Sequence, residues 1–152
     1  MALEIERKFL VLNEDYKKEA SAAINIRQGY LSRVPERTVR IRIKGEKAFI
    51  TVKGKSCTSG MARFEWEHEI DICDAEELMK LCEGNIIEKT RYIVPVGKYT
   101  FEVDEFHGNL SGKTLAEIEL DNADEEFDHP SWLGCEVTGN PAWYNSAMSG
   151  SH

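Results

Sequence analysis

The chain reads as an α+β protein, with about eight antiparallel strands, two or three helices and a sheet that closes on itself or nearly so. Three observations predict this. Apolar and charged residues alternate through most of the sequence, and a period of two belongs to strands. The alternating runs are separated mainly by glycine-bearing turns. Charges recur at the same spacing of two: Glu4 and Glu6, Glu65 and Glu67, Glu102 and Asp104, Glu117 and Glu119, then Arg40 and Arg42, Lys89 and Arg91, Thr51 and Lys53.

The first strand covers residues 3–11, with Glu4, Glu6 and Lys8 on one face and Ile5 and Phe9 between them. A helix of roughly 12 residues follows, capped by Asn13 and including Ala20, Ala22, Ala23 and Ile24. Residues 26–33 form a second strand with Gln28 and Tyr30 on one face, both read as wall residues. Strands 37–44 and 47–53 make a hairpin across Gly45-Glu46. Residues 54–61 are polar and glycine-flanked, hence a loop. The strand over 62–71 puts Phe64, Trp66, His68 and Ile70 opposite Glu65, Glu67 and Glu69. Asp74 starts a helix, with Glu77 completing a capping box and Gly84 at the C-terminal cap. Three more strands cover 86–94, 98–106 and 114–121. Short helices are predicted near Ala123–Phe127 and from Asn140-Pro141, an N-cap followed by proline.

At 152 residues this is one domain, residues 1–147, with a short tail at 148–152. A hydrophobic fraction of 41% and a charged fraction of 30% suit a folded globular protein. The net charge of −8 argues against nucleic-acid or membrane-surface binding by long-range attraction. A phosphate ligand would have to be held by local cations and metal. No apolar run of about 18 residues predicts a membrane span. Cys57, Cys73, Cys82 and Cys135 show neither disulfide nor zinc spacing, as expected of reduced thiols in the cytoplasm.

Periodicity does not say whether the charged face meets water or the inside of a barrel. Three features favour the inside. Glutamate is a poor strand residue, yet it occupies strand centres here. Like charges side by side on a sheet cost free energy unless a counter-ion lies between them. Metal between carboxylates and phosphate between cations would supply that compensation. The intervening residues, among them Ile41, Val103 and Ile118, could face a covering layer of helices or a partner subunit.

Glu4-x-Glu6-x-Lys8 at the N-terminus resembles the opening motif of the CYTH superfamily, the triphosphate tunnel metalloenzymes. In order after it come Val39-Arg40-Ile41-Arg42, Thr51-Val52-Lys53, Phe64-Glu65-Trp66-Glu67, Glu88-Lys89-Thr90-Arg91, Glu102-Val103-Asp104, Ala116-Glu117-Ile118-Glu119-Leu120 and Gly134-Cys135-Glu136-Val137-Thr138. The resemblance spans about residues 3 to 145 and is nearest to the small bacterial tripolyphosphatases. It implies an eight-stranded antiparallel closed β-barrel with a charged lumen and a few flanking helices. It also implies hydrolysis of a small-molecule triphosphate with Mg²⁺ or Mn²⁺. Class IV adenylate cyclase, organic triphosphatase and non-catalytic polyphosphate-binding module are the alternatives. A homodimer is left open. The family often has an acidic residue and an arginine where this chain has Asn140 and Ala142, which leaves open whether the last helix contributes to substrate contact or to plugging the tunnel end.

On that resemblance Lys8, Arg40, Arg42, Lys53, Lys89 and Arg91 are the candidate phosphate binders. Glu4, Glu117 and Glu119 are candidate ligands for a metal bridging the phosphates. Glu6, Glu65 and Glu67 are candidates for a second metal, with Glu6 the first choice for general base and Lys8 beside it polarising the water. Glu102 and Asp104 are metal or water ligands, or orient the neighbouring arginines. Trp66, Trp132 and Trp143 are read as core or subunit-contact residues, which favours an inorganic substrate.

Overall fold

The computed structural model describes residues 3–55 and 61–148. Residues 56–60 of the expected loop, Cys57 among them, and the tail from 149 lie outside the described residues. The strands are β1 (Leu3–Val11), β2 (Ala22–Ser32), β3 (Arg37–Lys44), β4 (Lys47–Gly54), β5 (Ala62–Ile70), β6 (Glu83–Val96), β7 (Tyr99–Phe106), β8 (Thr114–Glu119) and β9 (Leu133–Glu136). Helices α1 (Tyr16–Glu19), α2 (Ile72–Met79) and α3 (Asn145–Met148) are short.

The strands pair in the order β5-β4-β3-β2-β6-β7-β8-β1-β9, and β5 returns to β1. The first eight therefore close an antiparallel barrel. The two ends of β1 serve different neighbours. Leu3, Glu4 and Ile5 pair with β5, while β9 joins β1 at Phe9 and Val11. On its other edge, Glu6 to Leu10 pair with β8. The β3–β4 hairpin turns on Gly45, whose φ of 60° is the positive value a two-residue turn needs.

Much of the apolar core lies outside the barrel wall. Phe9, Val94, Phe101, Val103 and Ile118 point outward and pack with Tyr16 of α1 and with Trp132. Helix α2 covers Ile41 and Ala48 with Ala75 and Met79. Inward positions are apolar at one end only, where Tyr30, Ile87, Phe106 and Leu115 pack around Met148 of α3 and Leu110. That cluster stops one end of the barrel, and mostly charged and polar side chains line the rest.

Several local expectations are corrected. The first helix is a single turn beginning after Asp15, and Asn13 instead accepts a hydrogen bond from the Asp15 amide. Ala22, Ala23 and Ile24 belong to β2, paired with Ile93, Tyr92 and Arg91 of β6. Helix α2 starts at Ile72, so Asp74 lies in its first turn and does not cap it. Gly84, with φ 70°, lies in β6 where the β2–β6 register shifts, and Lys80 is the helix C-cap. Residues 123–127 are not helical. There the Glu125 carboxylate accepts hydrogen bonds from the Asp121 and Asn122 amides, tying a turn. Strand β9 was read only as a motif.

Candidate active site

Inward-pointing side chains of β1, β3, β4, β5, β6, β7 and β8 meet around a cavity of about 210 Å³. All the candidate phosphate binders and metal ligands line it except Lys89 and Asp104. The lining thus holds Glu4, Glu6 and Lys8 from β1, Arg40 and Arg42 from β3, and Lys53 from β4. Glu65 and Glu67 come from β5, Arg91 from β6, Glu102 from β7, and Glu117 and Glu119 from β8.

Some of these charges are already paired. Lys53 Nζ lies 2.9 Å from Glu4 Oε1 and 3.6 Å from Glu65. Thr51 Oγ1 donates to Glu67 at 2.7 Å and accepts from Arg40 at 3.1 Å. Lys8 Nζ stands 3.6 Å from Glu6 and 4.8 Å from the centre of the Tyr144 ring. Burial works against the Lys8 ammonium, but Glu117 and Glu6 outweigh it and hold its pKa above the ordinary value.

Lys89 and Asp104 sit behind the cavity wall, both almost fully buried. Asp104 accepts two hydrogen bonds from Arg91, at 2.8 and 2.9 Å, and its Oδ2 lies 2.7 Å from Lys89 Nζ. Both of its oxygens are therefore engaged. Burial alone would raise the Asp104 pKa, yet Arg91 and Lys89 hold it well below the usual carboxylate range.

The remaining charges leave two deficits. On β3, Arg40 Nε is buried without a hydrogen-bond partner. Arg42 donates to a neutral group, Gln28 Oε1, at 2.8 Å. Burial, then the neighbouring Arg40 and Arg91, push Arg42 down to about 9. On the opposite side, burial raises the pKa of Glu117, with Glu6 adding to it against Lys8. Glu119 is raised by burial and by Glu4 and Glu102. Glu4 is raised by burial despite Lys53. Arg40 meets one carboxylate, Glu67 at 3.5 Å, and Glu4 meets one cation, Lys53, so one wall is short of anions and the other short of cations.

The acidic wall offers only carboxylate oxygens, a donor set for a hard divalent cation. Among the described residues no three acidic, histidine or cysteine side chains converge into a ready cage. Mg²⁺ does not require one, because it keeps several waters and shares its ligands with substrate phosphates.

The scan against family models finds the CYTH domain over residues 2–140. The chain belongs to the CYTH family. The inorganic triphosphatase of Acetivibrio thermocellus is 43% identical over 149 residues, covering 97% of this chain and 94% of that protein. That of Nitrosomonas europaea is 38% identical over 152 residues, with 96% of each covered. A crystal structure of an inorganic triphosphatase matches with a TM-score of 0.70 at 35% identity, covering 100% of this chain and 97% of the other. A putative adenylyl cyclase from Hippeastrum, described as having dominant triphosphatase activity, shares the fold at 15% identity and a TM-score of 0.62, with 78% and 80% covered.

Within this CYTH barrel the cavity includes residues that motif reading passed over. Thr38, Lys44 and Arg63 extend the spacing of two on β3 and β5, so the same alternation could have found them. Tyr144 and Asn145 carry no periodic signal. They follow a 3-10 turn that Asn140 caps through the Ala142 amide, and so reach the cavity from outside the barrel strands.

Proposed function

We propose that the protein is a metal-dependent triphosphatase that hydrolyses inorganic tripolyphosphate to pyrophosphate and phosphate. The observation that carries this reading is the uneven charge of one cavity: buried Arg42 donates only to a neutral amide and Arg40 meets Glu67 at 3.5 Å, while across the barrel burial and neighbouring carboxylates raise the pKa of Glu117 and Glu119. A triphosphate bound with a divalent cation relieves both deficits at once. The two CYTH relatives named as inorganic triphosphatases support the same activity along almost the whole chain.

In this reading Arg40, Arg42 and Arg91 grip phosphate oxygens through their planar guanidinium groups, and Lys8 and Lys53 act as point charges. Lys89 acts from behind the wall, and Asp104 orients Arg91 and Lys89. Glu4, Glu117 and Glu119 form one candidate ligand set, and Glu6, Glu65 and Glu67 the other. Mg²⁺ or Mn²⁺ held there would neutralise phosphate charge and acidify a bound water. Glu6 takes the proton of the attacking water while Lys8 orients it. The new P–O bond forms at a terminal phosphorus, and the bond to the pyrophosphate oxygen breaks. The free thiols of Cys73, Cys82 and Cys135 fit a reducing, cytoplasmic compartment.

Phosphate release from tripolyphosphate with Mg²⁺ or Mn²⁺ tests the reading, and Glu117→Ala is expected to lower it on the order of 10²-fold or more. No release from any triphosphate with any divalent cation overturns it. Chromatography of ATP products adds a second arm. ADP with phosphate is expected, whereas cyclic AMP with pyrophosphate would make the protein a cyclase.

A further inference from the structure

Asn145 stands at the end of a hydrogen-bond chain whose direction is fixed. Arg42 Nε, which can only donate, donates to Gln28 Oε1 at 2.8 Å. Gln28 must then turn its Nε2 outward, and that group donates to Asn145 Oδ1 at 3.1 Å. Lys89 Nζ, also a donor only, reaches the same Oδ1 at 3.0 Å. Two donors on one oxygen leave no freedom to flip the Asn145 amide. Neither Gln28 nor Lys89 lines the cavity, whereas Asn145 does. Among the described residues the Asn145 Nδ2 has no hydrogen-bond partner.

We infer that Asn145 is a substrate-binding residue, its Nδ2 amide presented to the cavity as a neutral donor for a phosphate oxygen of the bound triphosphate. This rests on the triphosphatase reading above. The chemistry suits the place. Arg40, Arg42 and Arg91 already crowd one wall, and each added cation would oppose the others. An amide donates without adding charge. Its partners Lys89 and Gln28 hold it rigid, so little side-chain freedom is lost when the anion binds. The same oxygen links the Arg42 side of the cavity to the Arg91 side through Lys89 and Asp104.

Asn145→Asp and Asn145→Ala separate substrate binding from mere tethering. The aspartate keeps an acceptor for Lys89 and Gln28 but replaces the donor with a second, negatively charged oxygen. The alanine removes both. Substrate donation predicts that KM for tripolyphosphate rises roughly ten- to a hundredfold in the alanine variant and further in the aspartate variant. Both variants keep a cooperative thermal unfolding transition. If Asn145 only tethers Lys89 and Gln28, the order reverses and the aspartate variant is the more active. Aspartate activity equal to or above that of alanine overturns the inference. Wild-type turnover of tripolyphosphate is the control: if it is absent, the triphosphatase reading itself fails. If it is present while Asn145→Asp matches wild type, only the role of Asn145 fails.

Discussion

Asp104 and Lys89 show what a spacing of two leaves out. Alternation places a side chain on the inner face of a strand, but it does not say how deep that side chain sits. Arg91 and Lys89 share one face of β6, yet Arg91 borders the cavity and Lys89 does not. The position of Asp104 between them makes it a holder of two cations, and removing it strands both in a nearly dry wall. Breaking a buried pair in this way costs about 3–5 kcal/mol. Asp104→Ala should therefore lower unfolding stability by about that amount in urea titrations, and activity with it. A residue whose role was metal ligation would instead lower metal affinity and leave stability in metal-free buffer near wild type.

At the scale of elements, α1 is held by Tyr16 and Lys17, which both reach Glu105. Tyr16 is buried against Tyr92 and Trp132, and its hydroxyl donates to Glu105 on the outer face of β7. Burial, then the hydrogen bond to Glu105, raises the Tyr16 pKa. A raised pKa stabilises the fold fully below the unfolded value, about 10 for tyrosine, and that contribution is lost as pH rises above it. For Glu105, burial raises the pKa, but the Tyr16 and Lys17 hydrogen bonds outweigh it and lower the value, so its contribution is lost at the acid end. Tyr16→Phe should cost about 1–2 kcal/mol near pH 7. The gap from wild type should narrow above about pH 10, where wild type alone has a buried phenol to ionise. Urea melts across that range measure it. The strands were legible because alternation survives in isolation. The first helix was misplaced because alanines at 22 and 23 favour a helix locally, while their ladder with β6 lies about 70 residues away in sequence. β9 is four residues long and pairs with the far end of the chain, so no local pattern announces it as a strand.

For the whole molecule, charge lies inside and much of the apolar core outside, so the barrel needs a device to stop one end. The segment after β9 supplies it. Over four residues it passes from Asn145, which borders the cavity, to Met148, which is buried among Tyr30, Ile87, Phe106 and Leu115. The sequence showed the charged lumen through its paired glutamates and arginines. It left open whether the last helix plugs the barrel end, because a single methionine there has no period to betray it. The stopper and the site share one short helix, so packing at Met148 should be felt at Asn145. Met148→Ala leaves a void that neighbours only partly fill, at a cost of about 2–5 kcal/mol. Met148→Leu keeps the volume and should cost less than about 1.5 kcal/mol. The alanine variant should also raise KM for tripolyphosphate, since a loosened helix no longer holds the Asn145 amide against Lys89 and Gln28. Chemical denaturation read beside steady-state kinetics checks both effects in one pair of variants. A Met148→Ala protein with wild-type stability and KM would show that the barrel end is held elsewhere, and that the helix carrying Asn145 does not depend on its apolar anchor.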